Sequence, residues 1–418
     1  MNRCGINKFR ILFVAAAAVF LVVSGCGSAP DSVTAPGWDI PEVTGISSKT
    51  SSAPVNESKL VTAVKKADWV GAPSRESVPE KGEGRYAYGF LNGEERLVYD
   101  MIAGAMLELE AETGPFYLES EEVFRISDCV LADYPEIFWV ESGISTTVTV
   151  KGEFDHLIYG IEYCFTREER DAAAEEIERA VSGFVAANSG AGEYEKALAV
   201  YEFIIDGTEY GISEHDQTIY GVFAEKLAVC GGYARATQYL LTRLGLECAF
   251  VTGEIINGDA HAWNLVKVDG EYYYIDSTWG DPVFGEQEAA GNELSHMYFC
   301  ITTGEIEKTH MAGGTPPLPQ CTATAANYFV RNGRMLDSYS PNAVLAALYD
   351  SMASGRSLAE LRCTGAEAYL SVSSALFEGG EIYKLFEALK NSGFDDLDSG
   401  RALYSLDDTN YLIKIYLG

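Results

Sequence analysis

A predicted β-hairpin restricts the fold of this chain more than any other part of its sequence. Residues 261–279 read "HAWNLVKVDGEYYYIDSTW", in which Asp269-Gly270 is a strong signal for a two-residue turn between two strands. Such a turn predicts three cross-strand pairs: Val268 with Glu271, Trp263 with Asp276, and His261 with Thr278. Because strand side chains alternate between faces, four of these side chains would share one face: His261, Trp263, Asp276 and Thr278. His261 and Asp276 would then be diagonal neighbours within hydrogen-bonding reach.

A cysteine at the predicted start of a helix supplies the reactive group that a histidine–aspartate pair lacks. Residues 227–245 read "LAVCGGYARATQYLLTRLG", where Cys230 precedes two glycines and a helical pattern that ends at Gly245. The unpaired N–H groups and the dipole of a helix start favour a thiolate and lower the pKa of a thiol there. We expect Gly231 and Gly232 to leave open space above the sulfur for a substrate backbone. A lone cysteine in this position is more often a small buried hydrophobe, so its assignment as a nucleophile depends on the histidine–aspartate pair.

These blocks together resemble the transglutaminase-like superfamily, in particular its bacterial secreted branch. The resemblance rests on "AVCGGYARATQYLLTRLGLECAFVTG" and "AHAWNLVKVDGEYYYIDSTWGDP", flanked by "DYPEIFWV" upstream and by "MYFCITTGEIEKTH" and "CTATAANYF" downstream. It implies that Cys230 is the nucleophile, His261 the base and Asp276 the orienting acid. It also implies an α+β, papain-like fold, in which a central helix carrying the cysteine packs on an antiparallel sheet carrying the other two residues.

Such a site needs donors for the oxyanion of a tetrahedral intermediate. The backbone N–H of Cys230 is one, and the segment "HDQTIYGVFAEK" offers Gln217 and Tyr220 as candidates for the second. The alternatives are that Gln217 is a surface residue at a helix start and that Tyr220 is part of the core. Trp263 is expected to form a wall of the cleft, with ordinary hairpin packing as its alternative.

The remaining histidines and cysteines predict no further chemistry. No HExxH, CxxC or EF-hand pattern joins the other four histidines, so we expect neither a metal nor a cofactor: His156, His215, His296 and His310. Six cysteines remain once Cys4, Cys26 and Cys230 are set aside: Cys129, Cys164, Cys248, Cys300, Cys321 and Cys363. They are scattered through apolar stretches, and we expect most of them to be free thiols.

The N-terminus predicts an exported lipoprotein. Three basic residues precede the apolar run "ILFVAAAAVFLVV", which has the length of a signal peptide and is short for a transmembrane helix. The following "VVSGCGS" resembles a bacterial lipobox with Cys26 as the lipidated residue. An ordinary cleaved signal or a retained anchor is the alternative. The Ser-, Pro- and Gly-rich segments after Cys26 are expected to be a disordered tether.

We therefore predict five regions: a signal peptide (1–25), a surface tether (26–85), an N-terminal α+β region (86–190), the transglutaminase-like core (191–312) and a C-terminal α+β extension (313–418). Within them, "DYPEIFWV", "ISTTVTV" and "HLIYGIEYCF" are typical of strands. Thr166 and Glu169 have capping-box spacing at a helix start, and Asn332-Gly333 predicts a second hairpin.

The predicted function is that of a surface-anchored cysteine acyl-transfer enzyme that acts on amide bonds. Thirty basic and 62 acidic residues give a net charge of −32, which disfavours nucleic acid as a partner. The expected partners are a peptide or protein substrate at the cell surface and, through the lipid on Cys26, the bacterial cell membrane. Hydrolysis is favoured slightly over transfer to an amine, because no part of the sequence marks an amine site. The alternatives are a protein-glutamine transglutaminase and a non-catalytic binding or scaffold lipoprotein.

Overall fold

The computed structural model describes most of the chain after the predicted tether. The described ranges are 80–150, 153–281, 294–314, 316–395 and 397–417. All of them belong to one compact unit. The predicted signal peptide, the lipidation site Cys26 and nearly all of the predicted tether lie outside the described residues. None of the helices within these ranges combines the length and the apolar composition that crossing a membrane requires.

The described residues contain both helices and mainly antiparallel strands, as expected for an α+β protein. The helices are α1 (Gly93–Glu108), α2 (Ser120–Asp133), α3 (Arg167–Asn188), α4 (Glu193–Asp206), α5 (Cys230–Arg243), α6 (Ser277–Gly280), α7 (Thr303–Ile306), α8 (Tyr328–Arg331), α9 (Pro341–Ala353), α10 (Ala366–Ser373) and α11 (Glu381–Lys390). The strands are β1 (Glu112–Phe116), β2 (Val140–Val150), β3 (Glu153–Tyr163), β4 (Glu209–Tyr210), β5 (Leu227–Ala228), β6 (Cys248–Ile255), β7 (Ala260–Val268), β8 (Glu271–Ile275), β9 (His310–Ala312), β10 (Met335–Leu336), β11 (Leu358–Cys363), β12 (Leu403–Asp407) and β13 (Leu412–Tyr416).

The central sheet has the strand order β8-β7-β6-β9, and its neighbours are all antiparallel. The predicted turn is present, because Asp269 and Gly270 both have positive φ values, 52° and 88°, as a type I′ turn requires. Helix α5 packs on this sheet through Asn264 of β7, whose Nδ2 donates to the Ala234 carbonyl of α5 at 2.9 Å. This hydrogen bond fixes the helix against β7, the strand that carries His261.

The N-terminal region packs into the same hydrophobic core as α4 and α5. Strands β2 and β3 contain two of the three predicted strands, and α3 begins with the predicted capping box of Thr166 and Glu169. The third prediction is wrong, because "DYPEIFWV" is not a strand. Residues 120–133 form α2, which buries Val123, Ile126 and Val130 at helical spacing, and the next residues are buried in turns.

The C-terminal region has a hydrophobic cluster of its own, built from α9–α11 and the sheet β10-β11-β13-β12. The hairpin predicted at Asn332-Gly333 is wrong. These residues end α8, since Asn332 is its C-cap and Gly333 has φ of 64°, the left-handed conformation common just after a helix. Strand β10 then pairs in parallel with β11, so no hairpin forms there.

Candidate functional site

Cys230 is the first residue of α5, as the sequence predicts, and it is buried. Two short parallel strands hold the chain before it, with Tyr210 of β4 paired to Ala228 of β5. Val229 is the N-cap in an extended conformation, and its own N–H donates to the Asp216 carbonyl at 3.1 Å. No acidic residue lies in the first turn of α5. The local dipole and N–H groups therefore act on the thiol without a neighbouring carboxylate in that turn.

The two glycines after Cys230 have a different role from the predicted one. A Cβ on Gly231 would come closer than 3.0 Å to the side-chain amide of Gln217, and a Cβ on Gly232 would overlap the Asp216 carbonyl and lie 2.8 Å from Ala228 Cβ. The space beside the glycines is therefore filled by the chain segment 216–218 rather than left open. The glycines are needed because this segment packs directly on the start of α5.

Gln217 lies at the start of α5, and its Nε2 is buried with no hydrogen-bond partner within the described ranges. A buried donor of this kind is costly unless a ligand supplies the acceptor. The other candidate, Tyr220, points elsewhere: its ring stacks on Phe138 and its hydroxyl lies 3.5 Å from Glu176 of α3. Of the two predicted candidates, Gln217 is the one whose amide borders the residue after Cys230.

His261 and Asp276 are hydrogen-bonded and almost completely buried. His261 Nε2 lies 2.8 Å from Asp276 Oδ2, and the two residues are each 1% exposed. The predicted hairpin register holds from Val268–Glu271 to Asn264–Ile275. It ends there, so the predicted strand pairs of Trp263 with Asp276 and of His261 with Thr278 are absent.

Asp276 is instead the N-cap of the short helix α6. Its Oδ1 accepts from the backbone N–H groups of Thr278 at 2.9 Å and Trp279 at 3.1 Å. Thr278 therefore belongs to a helix and not to the sheet face that the sequence predicts. A cap of this kind fixes the carboxylate from behind and leaves Oδ2 directed at the imidazole.

Helix α5 is joined to both sides of this pair. Asn264 connects it to β7, three residues after His261, and the Thr237 and Ser277 hydroxyls lie 3.0 Å apart, which connects it to α6 next to Asp276. The cysteine-bearing helix, the histidine strand and the aspartate cap are thus one bonded assembly.

Trp263 is 1% exposed, and its ring is stacked on the His261 imidazole with 6.0 Å between centroids. Its indole N–H has no hydrogen-bond partner in the described part of the chain. The ring belongs to a buried cluster with Ala249, Val251 and Leu265. Trp263 therefore contacts the imidazole, as a wall of the cleft would, and is also part of the packing of the sheet, which was the predicted alternative.

A second histidine, which sequence reasoning placed outside the site, contacts the same aspartate. His310 Nε2 lies 3.0 Å from Asp276 Oδ2. Its strand β9 has only three residues and pairs with the far edge of β6, Ile255 facing His310. A strand of three residues is too short to show a periodic pattern in the sequence. The signal that could have identified His310 is the rarity of histidine, with five in the chain.

The electrostatics of Asp276 reflect these contacts. Burial by itself would raise the pKa of this carboxyl group, but the charge and hydrogen bond of His261 and the hydrogen bond of His310 outweigh it, and the pKa lies below its usual range. The ligand-type atoms of His261, Asp276 and His310 lie within 4.8 Å of one another, a separation at which a cation could be shared. Both Nε2 atoms are at hydrogen-bond distance from Oδ2, so we interpret the trio as a hydrogen-bonded cluster.

None of the seven cysteines in the described ranges forms a disulfide. Burial raises the pKa of the Cys129, Cys321 and Cys363 thiols to about 11. Those thiols are therefore poor nucleophiles near neutral pH.

Part of this chain is similar to a known family, and the similarity covers the elements that carry the site. Residues 182–277 match the model of the family described as the transglutaminase-like superfamily, which confirms the resemblance to the superfamily and the papain-like α+β fold predicted from the sequence. The bacterial secreted branch stays a prediction. The matched segment contains Cys230, His261 and Asp276.

Two curated relatives and one solved structure are similar to this chain. Kyphoscoliosis peptidase of Homo sapiens is 28% identical and that of Mus musculus 24% identical over 127 residues, which cover 26% of this chain and 19% of each relative. The chain thus spans about a fifth of the length of the curated relatives that it matches. A crystal structure described as a TGase is 17% identical and covers 37% of this chain and 48% of its own, with a TM-score of 0.26.

Proposed function

We propose that this protein is a cysteine acyl-transfer enzyme that cleaves amide bonds through a thioester, with water as the favoured acceptor. The observation that carries the proposal is the buried His261–Asp276 hydrogen bond of 2.8 Å, in an assembly with the helix that begins at Cys230. An oriented, buried imidazole on a strand that is hydrogen-bonded to a helix beginning with a thiol is an arrangement suited to nucleophilic catalysis.

Each step of the proposed reaction uses a group of this chain. Asp276 bonds to Nε2 of His261, so Nδ1 is the nitrogen that exchanges a proton with the thiol. The Cys230 thiolate adds to the amide carbonyl carbon, and the C–N bond breaks as the imidazolium gives its proton to the leaving amine. A water molecule then gives a proton to His261 while its oxygen adds to the thioester carbonyl carbon. The C–S bond breaks, the carboxylic acid leaves, and the imidazolium returns its proton to the Cys230 sulfur.

The oxyanion formed in both steps would be held by two donors. One is the backbone N–H of Cys230, at the start of α5, and the other is Nε2 of Gln217, the buried donor without a partner. Removing one such donor costs about 10²- to 10³-fold in kcat in a comparable site. The unsatisfied amide is thus explained by a ligand oxygen that the catalytic cycle supplies.

The test uses the purified full chain and a panel of glutamine-containing peptides and proteins, with a labelled primary amine in half of the samples. Hydrolysis predicts fragments or deamidated glutamine without incorporated label, whereas amine transfer predicts labelled protein and adducts of higher mass. The activity should be lost in Cys230→Ala and His261→Gln and should fall by about 10⁴-fold in Asp276→Asn. Cys363→Ala, which removes a buried thiol of the C-terminal cluster, is the matched control and should keep full activity.

Two results would redirect the proposal. Label incorporated in place of hydrolysis would favour a protein-glutamine transglutaminase. Equal behaviour of the wild type and the three site variants on every substrate would favour a scaffold that keeps the fold.

We also propose that the protein is exported from a bacterial cytoplasm and held at the membrane by a lipid on Cys26. The support is the sequence of the first thirty residues, with a basic start, a short apolar run and the lipobox-like "VVSGCGS". Cys26→Ser should abolish labelling by an alkyne fatty acid and release the protein from membranes. Cys4→Ser, in the segment that would be cleaved, should remain labelled, and equal membrane retention of both variants would show that the apolar run itself is the anchor.

A further inference from the structure

His310 gives the aspartate of the site a second imidazole partner. Its side chain is completely buried, and its Nε2 lies 3.0 Å from Asp276 Oδ2, the same oxygen that faces His261 Nε2 at 2.8 Å. The ring is enclosed by aromatic side chains, with centroids 4.8 Å from Trp279, 5.0 Å from Trp263 and 5.8 Å from Tyr298. Solvent exposure does not explain why a polar ring occupies this position, and a purely apolar ring could not make the bond to Asp276.

The hydrogen bonds on the two sides of the ring together fix its tautomer. Thr309 Oγ1 lies 2.7 Å from His310 Nδ1 but 3.4 Å from both the Ile306 carbonyl and the Tyr298 hydroxyl. An ionised carboxylate can only accept hydrogen bonds, so the Nε2 atom of His310 that faces Asp276 carries a proton. In a neutral His310 the Nδ1 atom is then an acceptor, and the Thr309 hydroxyl donates to it.

The carboxylate of Asp276 is consequently held by four donors. Two backbone N–H groups of α6 bind Oδ1, and two imidazole N–H groups bind Oδ2. With only the cap and His261, the carboxylate could turn about its Cβ–Cγ bond and pull Oδ2 out of line. The His310 donor opposes that rotation, because it binds Oδ2 from a different strand, β9.

We propose that His310 is a positioning residue of the site, which holds Asp276 ionised and aligned with His261 through Thr309, so that the functional unit has a fourth member. The inference rests on the proposed function and adds to it a residue outside the matched segment 182–277. The depressed pKa of Asp276, to which the His310 hydrogen bond contributes against burial, is consistent with this role.

Other ionisable groups lie near Asp276 and could contribute to the pH dependence of the site. Tyr201 of α4 and Tyr298 are both electrostatically coupled to Asp276, and burial, the first cause, raises the pKa of each. Asp281, beyond α6, accepts a hydrogen bond of 2.6 Å from the Tyr233 hydroxyl of α5. The two tyrosines remain protonated and neutral across the pH range of an assay, so changes seen there report on the histidines and Asp276.

The test compares His310→Leu, which removes the donor, with His310→Gln, whose Nε2 amide can replace it. On the most reactive peptide, kcat should fall about 10- to 100-fold in the leucine variant, the loss expected for one hydrogen bond to a charged group, with KM within a few-fold. The acid limb of kcat should move to higher pH, because the carboxylate is easier to protonate. The glutamine variant should recover most of kcat and the wild-type acid limb. Thr309→Val should change kcat and the acid limb in the same direction as His310→Leu, but by a smaller amount.

A second readout does not depend on turnover. With five histidines in the chain, the ring signals of His261 are resolvable in protein labelled only at histidine. The background is the Cys230→Ala protein, which cannot react, and the His261 signals report the acid transition of Asp276. Adding His310→Leu should move this transition to higher pH, and adding His310→Gln instead should leave it at the pH of the Cys230→Ala protein. If this shift occurs but Cys230→Ala does not affect activity, the proposed function fails and the role of His310 remains.

Three outcomes would overturn the role of His310. One is an unchanged acid limb in a folded His310→Leu protein, and another is an equal loss in the leucine and glutamine variants, which would indicate packing alone. The third is a change in the histidine signals on dialysis against EDTA, since a bound metal would mean that the Nε2 atoms are ligands and not donors. If His310→Leu does not fold, Thr309→Val decides the question by the same pH readout.

Discussion

The replacement of Gly231 by alanine should inactivate the site without unfolding it. The new Cβ would meet the amide end of Gln217, the tip of a flexible side chain, which can move aside. Forcing one side chain off its rotamer costs about 0.5–1.5 kcal/mol. Replacing glycine by alanine within a helix stabilises the folded protein by about 0.5–1 kcal/mol. The free energy of unfolding should therefore change by less than about 1 kcal/mol, as the difference of these two terms.

The loss of activity should be much larger, because the displaced amide is the proposed oxyanion donor. We expect kcat to fall by about 10²- to 10³-fold, equivalent to about 2.7–4 kcal/mol, with little change in KM. Gln217→Ala should give the same loss. The double variant should be no worse than either single one, since the alanine Cβ then has no amide to displace.

The assay is the initial rate on the most reactive peptide, combined with urea unfolding of each full-length variant. Gly183→Ala is the matched control: it lies in α3, and a Cβ there would meet no atom within 4 Å. It should keep the wild-type kcat. If the losses of Gly231→Ala and Gln217→Ala simply add, the two residues act independently and the assignment of Gln217 is wrong.

Two further predictions concern stability. Gly232→Ala, unlike Gly231→Ala, would press a Cβ against the backbone carbonyl of Asp216. Urea titration should therefore show a free energy of unfolding that is lower by about 1–3 kcal/mol. An unchanged unfolding midpoint would mean that the 216–218 segment is not packed as described. The buried His296–Glu360 pair, with Nδ1 and Oε2 2.8 Å apart, should make unfolding of the C-terminal region pH-dependent. Burial opposes both charges, but the mutual hydrogen bond lowers the pKa of Glu360 to about 2 and, with Glu202, raises that of His296. The Glu360 contribution is therefore lost as pH falls from about 4.3 towards about 2, and the His296 contribution is lost as pH rises above about 6.5. Glu360→Gln should cost about 3–5 kcal/mol between these limits and flatten the pH profile of urea unfolding; a profile as steep as that of the wild type would contradict the pairing.

Local signals in the sequence were sufficient to predict the parts of the site that local chemistry determines. The Asp269-Gly270 turn fixes a register that places His261 near Asp276, and the helix pattern after Cys230 locates its start. The sequence analysis continued β8 past Ile275, although aspartate is also a common helix N-cap, and the structure ends the strand there.

The parts that sequence reasoning missed depend on contacts between distant segments. His310 reaches the site through a strand of three residues on the other edge of β6. The two glycines after Cys230 are explained only by segment 216–218, which no local pattern places there. Helix α2 was overlooked because the apolar residues just after it suggested strands, whereas its own capping box begins at Glu119.

The most direct test of the central claim is the pH dependence of Cys230 alkylation, measured by mass spectrometry of its peptide in the full chain. If His261 and Asp276 activate the thiol, the rate with iodoacetamide should have its midpoint well below the value of about 8.5 for a free thiol. His261→Gln should move that midpoint up towards about 8.5. A wild-type midpoint at or above 8.5 that is the same in His261→Gln would show that the thiol is not activated, and the account of this site as a nucleophilic centre would be wrong.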